Sequence, residues 1–372
     1  MIIYISMILW VILMRILCSG EMRFTTLPSG GRAYKISATV AYITVAYIIF
    51  WVGIRSGVAD TRAYIGGFEA NHKTLADIPS ILVSNSKGYG WTTLLVLFKN
   101  CVSTNYHAWL MALALFMGLS IAHCYQKYSE AFFFCMLIFI LNGNQSWMLN
   151  GMRQFFCVCA LALALPWLIS GKTWYYLTLV IILSSIHFTA LLMIPLYFVL
   201  RQKPWSKLIW LSVAAIVCAC YLADSVAVFA EDSLQSTSYA GSTVFNPDEA
   251  DDGVHPLRVL VAAVPACLAW INRKRIATEN NMLLNICINA SLFSAMLYLF
   301  GVFTSGILMG RLPAYCELFA IIGLPAIINR VPKVHLRKLL YATCVVFYGL
   351  FYYAILGSSY YVSELTGVVP SL

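Results

Sequence analysis

Ten apolar stretches follow one another along this sequence, separated by polar segments. A helix needs about 20 mainly apolar residues to cross a bilayer. The chain is 61% hydrophobic and 10% charged, whereas soluble proteins are roughly 45–50% apolar and about 25% charged. These values exclude a soluble enzyme, a disordered chain and a nucleic-acid-binding domain. We interpret the stretches as membrane spans at about residues 2–18, 36–54, 106–125, 131–142, 154–170, 208–222, 257–271, 282–303, 312–328 and 339–356.

One further apolar stretch, residues 174–200, predicts a re-entrant hairpin. As a single helix it would be about 40 Å long, against a hydrocarbon core of about 30 Å. A single crossing would also place the basic loop 201–207 and the acidic loop 224–256 on the wrong sides for the positive-inside rule. If the chain turns back near His187, most Lys and Arg residues lie in cytoplasmic loops and most acidic residues lie outside.

The predicted fold class is therefore all-α. We expect a polytopic membrane protein with about 10–12 transmembrane helices and one re-entrant hairpin. It forms a single transmembrane domain, 1–372, with two larger outer loops at about 55–105 and 224–256. Within the first loop, residues 89–99 are too short to span the bilayer and predict an amphipathic helix on the outer interface. The cysteines lie mostly inside spans, which indicates packing residues rather than a disulfide framework or a metal site.

Three arginines lie on the predicted outer side, where topology does not explain them. Arg153 and Arg311 each stand where a helix begins, and Arg55 stands where one ends. A helix N-terminus already attracts anions, and an added guanidinium makes it suitable for phosphate. The alternative for each arginine is a structural ion pair or a side chain that reaches out to the interface.

Other polar groups at membrane depth are candidates for acid–base chemistry. His187 lies in the predicted hairpin turn and is a general base, a ligand-orienting group or a hydrogen-bonded core residue. Asp60, followed by Arg62, comes shortly after a helix exit. Glu317 lies about a turn and a half inside the helix that Arg311 opens, where a carboxylate needs a partner besides that arginine.

Four stretches give the chain a resemblance to the EpsG/Wzy group of bacterial polysaccharide polymerases. The first resembles the family's arginine at the end of the second span, with a following Asp-Thr and tyrosine. The others resemble its interfacial segment, its central Arg-Gln and histidine block, and its late arginine-tyrosine helix. In this sequence the stretches are Ile54-Arg55 with Asp60-Thr61 and Tyr64, then Gly88-Tyr89 with Leu94-Leu95, then Asn150 to Gln154 with Ile186 to Leu191, and Gly310 to Tyr315.

The resemblance implies a membrane glycosyltransferase in the bacterial plasma membrane, related in architecture to the GT-C-like enzymes. It would join undecaprenyl-diphosphate-linked oligosaccharide units into O-antigen, capsule or exopolysaccharide on the outer face, without a metal or cofactor. A flippase and a chain-length regulator are the expected partners, beside the bilayer itself. The diphosphate is expected to bind Arg153 and Arg311, supported by Arg55, and Arg62 is a further substrate-binding residue. His187, Asp60 or Glu317 would serve as the base, and Gln154, Tyr64 and Tyr315 would hold sugar hydroxyls.

Other functions stay open at this point. A glycan ligase or single-sugar transferase would use the same polyprenyl donors. A lipid-linked glycan transporter, which is not an enzyme, is disfavoured because we find no inverted repeats with matched Gly or Pro breaks. A membrane acyltransferase would need a second catalytic carboxylate or histidine near His187, and the sequence offers none there.

Overall fold

The computed structural model describes residues 2–21, 23–26, 32–84, 88–222, 254–303, 309–356 and 361–368. Most of the predicted outer loop 224–256 lies outside these ranges. The all-α, polytopic class is confirmed by helices over most of the described chain. Two short antiparallel strands, which the sequence did not predict, pair β1 (Arg23–Thr26) with β2 (Arg32–Lys35).

The α-helices follow the predicted spans closely at most boundaries. In chain order they are α1 (Ile2–Leu17), α2 (Ala38–Gly53), α3 (Thr61–Glu69), α4 (Ile78–Val83), α5 (Tyr89–Cys101), α6 (Tyr106–Tyr128), α7 (Phe132–Leu141), α8 (Met152–Leu163), α9 (Leu165–Ser170), α10 (Thr173–Ser184), α11 (Met193–Leu200), α12 (Lys207–Tyr221), α13 (Leu257–Ile271), α14 (Arg273–Ile276), α15 (Met282–Val302), α16 (Ala314–Asn329) and α17 (Val334–Leu356).

Four helical stretches among the described residues are long and apolar enough to cross a membrane. They are Tyr106–Tyr128, Met282–Val302, Met309–Asn329 and Val334–Ala354. The predicted span 154–170 is instead two helices, α8 and α9. Pro166 has no N–H to donate to the Ala162 carbonyl, and its ring crowds that carbonyl, so the helix is interrupted before it. Helix α7 has 10 residues, about 15 Å of helix. The number of crossings therefore stays a prediction.

Contacts divide the chain into two compact units, and the single transmembrane domain stays a prediction. The first unit comprises Met1–Leu165, Thr178–Ala190 and Ala342–Leu372, and the second comprises Pro166–Leu177 and Leu191–Tyr341. In the first unit α6 packs against both α2 and α8. A Cβ on Gly118 of α6 would lie 2.3 Å from Cγ1 of Ile49 in α2. Only glycine permits this close approach, as is common between membrane helices.

In the second unit α15 packs against α13 and α16, and both α15 and α16 are buried over most of their length. Pro265 interrupts the hydrogen-bond ladder of α13. The hydroxyl of Ser291 donates to the Ala262 carbonyl (2.7 Å) and accepts from the Ala266 N–H (3.0 Å). It thereby satisfies backbone groups that have no water to bond with inside a membrane.

The stretch 174–200 is a helical hairpin, as predicted. Helix α10 ends at Ser184, and a 3₁₀ turn at Phe188–Leu192 leads into α11. The far ends of the two helices meet: Oγ1 of Thr173 lies 2.8 Å from the hydroxyl of Tyr197, and that hydroxyl accepts a bond from Arg201 at 3.0 Å. The 12 residues of α10 make about 18 Å of helix, too little to cross a core of about 30 Å.

Candidate active site

The exit of α2 places a buried arginine between three helices. Arg55 is fully buried, and its Nε donates to Oγ1 of Thr61 at 3.0 Å. Its other nitrogens contact the Val52 carbonyl and Sδ of Met152, at the end of α2 and the start of α8. Burial lowers the pKa of Arg55 to about 10, so the guanidinium is charged at neutral pH. Arg55 therefore holds these helix ends together, and its predicted substrate contact stays a prediction.

The turn before α3 presents a carboxylate at the start of that helix. Ala59 has a φ of 44°, a left-handed conformation that costs a residue with a Cβ about 1 kcal/mol. Asp60 follows it, is half-buried, and makes no side-chain capping bond to α3. Strained backbone of this kind is often found at functional sites. Arg62, one residue into α3, is exposed.

Arg153 occupies the first turn of α8, as the sequence predicted. The helix begins after Gly151, which has a φ of 70°. The guanidinium carbon of Arg153 lies 5.9 Å from the centre of the Tyr64 ring, within cation–π range. It has neither a carboxylate nor a hydrogen-bond partner among the residues that the structure describes. A cation at a helix N-terminus without a protein partner can bind an anion.

A cavity of about 320 Å³ in the first unit brings several of the predicted residues together. Asp60, Tyr64 and Arg153 line it, and residues from α3, α5 and the segment after α3 complete the wall. Its full lining is Asp60, Ala63, Tyr64, Gly67, Asn71, Trp91, Thr92, Leu95 and Arg153. One carboxylate, one guanidinium and two aromatic rings therefore face the same space.

Lys99 and an aromatic cluster fix the far side of this cavity. Nζ of Lys99 donates to the carbonyls of Phe68 (2.8 Å) and Asn71 (2.6 Å), at the C-terminal end of α3. The Trp91 ring contacts Tyr64 edge-on, with centroids 6.0 Å apart, and lies 5.3 Å from Trp109. These contacts join the C-terminal end of α3 to α5 and place the Trp91 ring between Tyr64 and Trp109.

The tip of the hairpin packs on the start of α5. The N–H of Gly90 donates to the Ser185 carbonyl at 3.0 Å. Gly88 has a φ of 73° and lies next to both the hairpin and Arg153. A Cβ on Gly88 would lie 3.3 Å from Nη1 of Arg153 and 3.7 Å from the Ile186 carbonyl oxygen. A side chain at this position would be strained and would push against the guanidinium. This gives the Gly88-Tyr89 motif a physical reason.

His187 is half-buried at the hairpin tip and does not line the cavity. Its Nδ1 lies 2.6 Å from Oγ1 of Thr189, and its ring stacks on Phe188 at 5.8 Å. The hydrogen bond orients the imidazole. Gln154, predicted to hold a sugar hydroxyl, is buried at 2% exposure and is also absent from the cavity wall. Its predicted role and that of His187 stay predictions.

The remaining predicted residues belong to the second unit. Glu317 is buried in the first turn of α16, where Oε1 accepts a 2.8 Å hydrogen bond from the Tyr298 hydroxyl. Arg258, half-buried, lies 5.8 Å over the Tyr298 ring. Tyr298 is therefore a partner of the kind that Glu317 was expected to need. Arg311 is half-buried just before α16, and Tyr315 is buried at 2% exposure.

Sequence reasoning named three of the nine residues in the cavity wall, namely Asp60, Tyr64 and Arg153. The structure adds Trp91, Asn71 and Thr92 to the predicted residues. The helix predicted at residues 89–99 is present as α5 and gives the position of Trp91, but nothing in the sequence says that its ring turns toward Tyr64. In the described part of the chain, no group of three or more His, Cys, Asp and Glu residues is placed to hold a metal ion.

Comparison with known proteins gives one match. A family model described as the EpsG family matches residues 39–366. This range includes all the predicted site residues and the cavity wall. No curated protein and no solved structure matches the chain.

Proposed function

Because the chain belongs to the EpsG family, a family of Wzy-type polysaccharide polymerases, we propose that it elongates a bacterial polysaccharide from lipid-linked repeat units at the outer face of the plasma membrane. The substrates would be oligosaccharides on undecaprenyl diphosphate. The sugar-bearing end enters the cavity beside α3 and α5, while the polyprenyl tail stays in the bilayer.

Arg153 is the group we assign to the diphosphate, and it carries the proposal. It is the guanidinium in the cavity wall, it lies at a helix N-terminus, and no described carboxylate neutralises it. Arginine binds phosphate oxygens in a bidentate way, and such bonds are stronger than neutral hydrogen bonds. As the sugar–oxygen bond breaks, negative charge grows on the diphosphate, so a fixed cation beside it lowers the barrier.

Asp60 is the base that fits this site best among the three candidates. A hydroxyl of the incoming unit bonds to the anomeric carbon of the growing chain, and the bond from that carbon to the diphosphate breaks. The hydroxyl proton passes to the carboxylate, and the lipid diphosphate leaves with its electron pair. Asp60 lines the same cavity as Arg153. His187 at the hairpin tip and Glu317 in the second unit are the alternative bases.

The aromatic wall is suited to a sugar ring. Tyr64 and Trp91 present ring surface to the cavity, and Asn71 supplies an amide that can bond to hydroxyls. Arg311 and Tyr315 belong to the second unit, and their contacts with the diphosphate and the sugar stay predictions. Arg55 acts from behind the wall through the helix ends that it joins, and exposed Arg62 attracts anionic substrate to the outer surface.

A glycan-length ladder tests the proposal. In a strain deleted for this gene, the Arg153→Ala protein should leave surface glycan as single repeat units, whereas the unaltered protein restores long chains. Lys73→Ala is the control, because Lys73 is an exposed cation of the first unit that does not line the cavity. Normal chain lengths from well-expressed Arg153→Ala protein would contradict the assignment.

The same ladder separates the competing functions. If deletion of the gene leaves polymer on the lipid carrier, the protein is a ligase. If purified protein in liposomes moves lipid-linked units across the bilayer without lengthening any chain, it is a transporter. Accumulation of single units, together with chain growth by the purified protein, supports the polymerase.

A further inference from the structure

The loop that leaves α2 is held by a segment from the other end of the chain. Residues 361–368, here named the late segment, contact this loop across more than 300 positions of sequence. The N–H of Ser56 donates to the Val362 carbonyl at 2.9 Å, and the N–H of Glu364 donates to Oγ of Ser56 at 2.8 Å. Oγ of Ser363 donates to the Ile54 carbonyl at 2.7 Å.

These bonds satisfy groups that the end of a helix leaves open. Ile54 follows the last residue of α2, and the last carbonyls of a helix lack partners within it. Ser363 is fully buried, and its backbone pairs with Val368 at 2.9 and 3.1 Å, which closes the late segment into a small loop. The backbone bonds within the late segment therefore position Ser363 for its hydrogen bond to the end of α2.

Tyr361 anchors the start of the late segment. Its hydroxyl donates to the Trp51 carbonyl, two residues before the end of α2, and its ring packs edge-on against Trp51 and Tyr4. The side chain is buried at 4% exposure. Contacts from the late segment thus bracket Arg55, at Trp51 and Ile54 before it and at Ser56 after it.

The bracketed loop is the one that presents the cavity residues. It runs from Arg55 through the left-handed Ala59 to Asp60, and α3 then carries Tyr64 into the cavity wall. A strained turn keeps its conformation only when the surrounding structure determines it. The Thr61 N–H bonds to the Val58 carbonyl at 2.9 Å and closes a turn around Ala59, and the late segment fixes the loop before this turn, at Ile54 and Ser56.

We propose that the late segment is a positioning element for the active site and sets where the loop places Asp60 and Tyr64. Ser363 is the side chain on which this positioning mainly depends. This inference rests on the proposed function, because it takes the cavity to be the catalytic centre. Ser363 touches no substrate in this account and acts through the Ile54 carbonyl and the loop that follows.

The test measures turnover for each folded molecule. Wild-type protein, Ser363→Ala and Leu365→Ala are purified in detergent and given lipid-linked single units extracted from the deletion strain. Leu365 lies in the same turn but is 59% exposed, so its variant should match wild type. We expect Ser363→Ala to lower kcat about tenfold, since small misplacements of reacting groups cost this much or more, while KM and the Tm of unfolding change little.

A disulfide provides the rescue. A Cβ on Gly57 would lie 3.3 Å from Cβ of Val362, a few tenths of an ångström below the usual range for bridged cysteines. In the Ser363→Ala background, Gly57→Cys with Val362→Cys should crosslink on oxidation and recover kcat. Reduction should remove the recovery. Each single-cysteine variant should stay at the low rate under both conditions.

Three results would overturn the positioning role. The first is a wild-type kcat for Ser363→Ala. The second is a lower Tm and yield with an unchanged kcat for the folded fraction, which makes the contact purely structural. The third is that, under oxidising conditions, the thiols introduced by Gly57→Cys and Val362→Cys still react with a thiol label and form no crosslink. If wild-type protein itself elongates no chain, the proposed function fails, and the crosslink alone then decides whether the late segment holds this loop.

Discussion

Arg153 and Arg330 lie at opposite ends of helices and have opposite surroundings. Arg330 follows the last residue of α16 in the second unit and is almost fully buried. Its Nε and Nη2 donate to the carboxylate of Glu279 at 2.9, 2.9 and 2.6 Å. Arg153 lies in the first turn of α8 in the first unit, lines a cavity, and forms no ion pair with a carboxylate among the described residues.

The difference separates a paired, structural arginine from one that we propose binds a ligand. Burying a guanidinium is costly unless it is paired, and the bidentate bond to Glu279 compensates Arg330. Arg153 stays half-buried beside an aromatic ring and is available to an anion that comes from outside the protein. Substitution of Arg153 should therefore lower the rate of chain elongation, whereas substitution of Arg330 should lower the free energy of unfolding.

The largest expected effect is that of substituting Asp60, which lines the same cavity as Arg153. Asp60→Asn keeps the shape of the side chain but cannot accept the hydroxyl proton at neutral pH. Chain elongation on extracted lipid-linked units should slow by about 100-fold or more, with KM little changed. His187→Ala is the comparison variant. A near-normal rate for Asp60→Asn together with a large loss for His187→Ala would transfer the role of base to the hairpin.

The second largest effect is expected in the stability of the protein and not in its rate of chain elongation. Arg330→Ala leaves the Glu279 carboxylate without its bidentate partner, and we expect a loss on the order of 2 kcal/mol in the free energy of unfolding. The unfolding of purified protein in detergent measures it. Turnover of the folded fraction should equal that of wild type. A slow but stable Arg330→Ala protein would mean that the contrast between the two arginines is wrong.

Arg153→Lys tests whether geometry matters as well as charge. Lysine keeps the positive charge but loses the planar fork that bonds two phosphate oxygens at once. Elongation should fall by about tenfold, less than for Arg153→Ala. Equal rates for the lysine variant and wild type would indicate a general electrostatic role in place of a bidentate contact.

The smallest expected effect concerns the aromatic wall. Trp91→Phe keeps a ring beside Tyr64 but removes the larger indole, so we expect KM for lipid-linked units to rise about threefold at nearly constant kcat. Trp210→Phe is a suitable control, because Trp210 is 48% exposed in the second unit. A change in kcat alone for Trp91→Phe would argue against a role in holding the sugar.

Hydropathy and loop charge predicted the parts of this fold that depend on the bilayer. The balance of charge across loops led to the hairpin at His187, and the contact between Thr173 and Tyr197 confirms that the chain turns back. The position of Arg153 at a helix start was also predicted correctly. Both features are local in sequence, since they depend on the composition of one stretch and its flanks.

What the sequence could not predict are contacts between distant segments. Nothing near residue 363 indicates that its hydroxyl bonds to Ile54, and nothing near Trp91 indicates that it meets Tyr64. Tyr298 likewise gave no sign that it pairs with Glu317. Apolar helices are chemically alike, so which faces meet is decided by packing detail that one sequence does not display.

Binding of undecaprenyl diphosphate to the purified protein, measured by titration calorimetry, tests the central claim most directly. Wild type and Lys73→Ala should bind with the same affinity. Arg153→Ala should bind about 10- to 100-fold more weakly, because a charge-assisted bidentate contact is lost. Equal affinity for Arg153→Ala and wild type would contradict the assignment of Arg153 to the diphosphate.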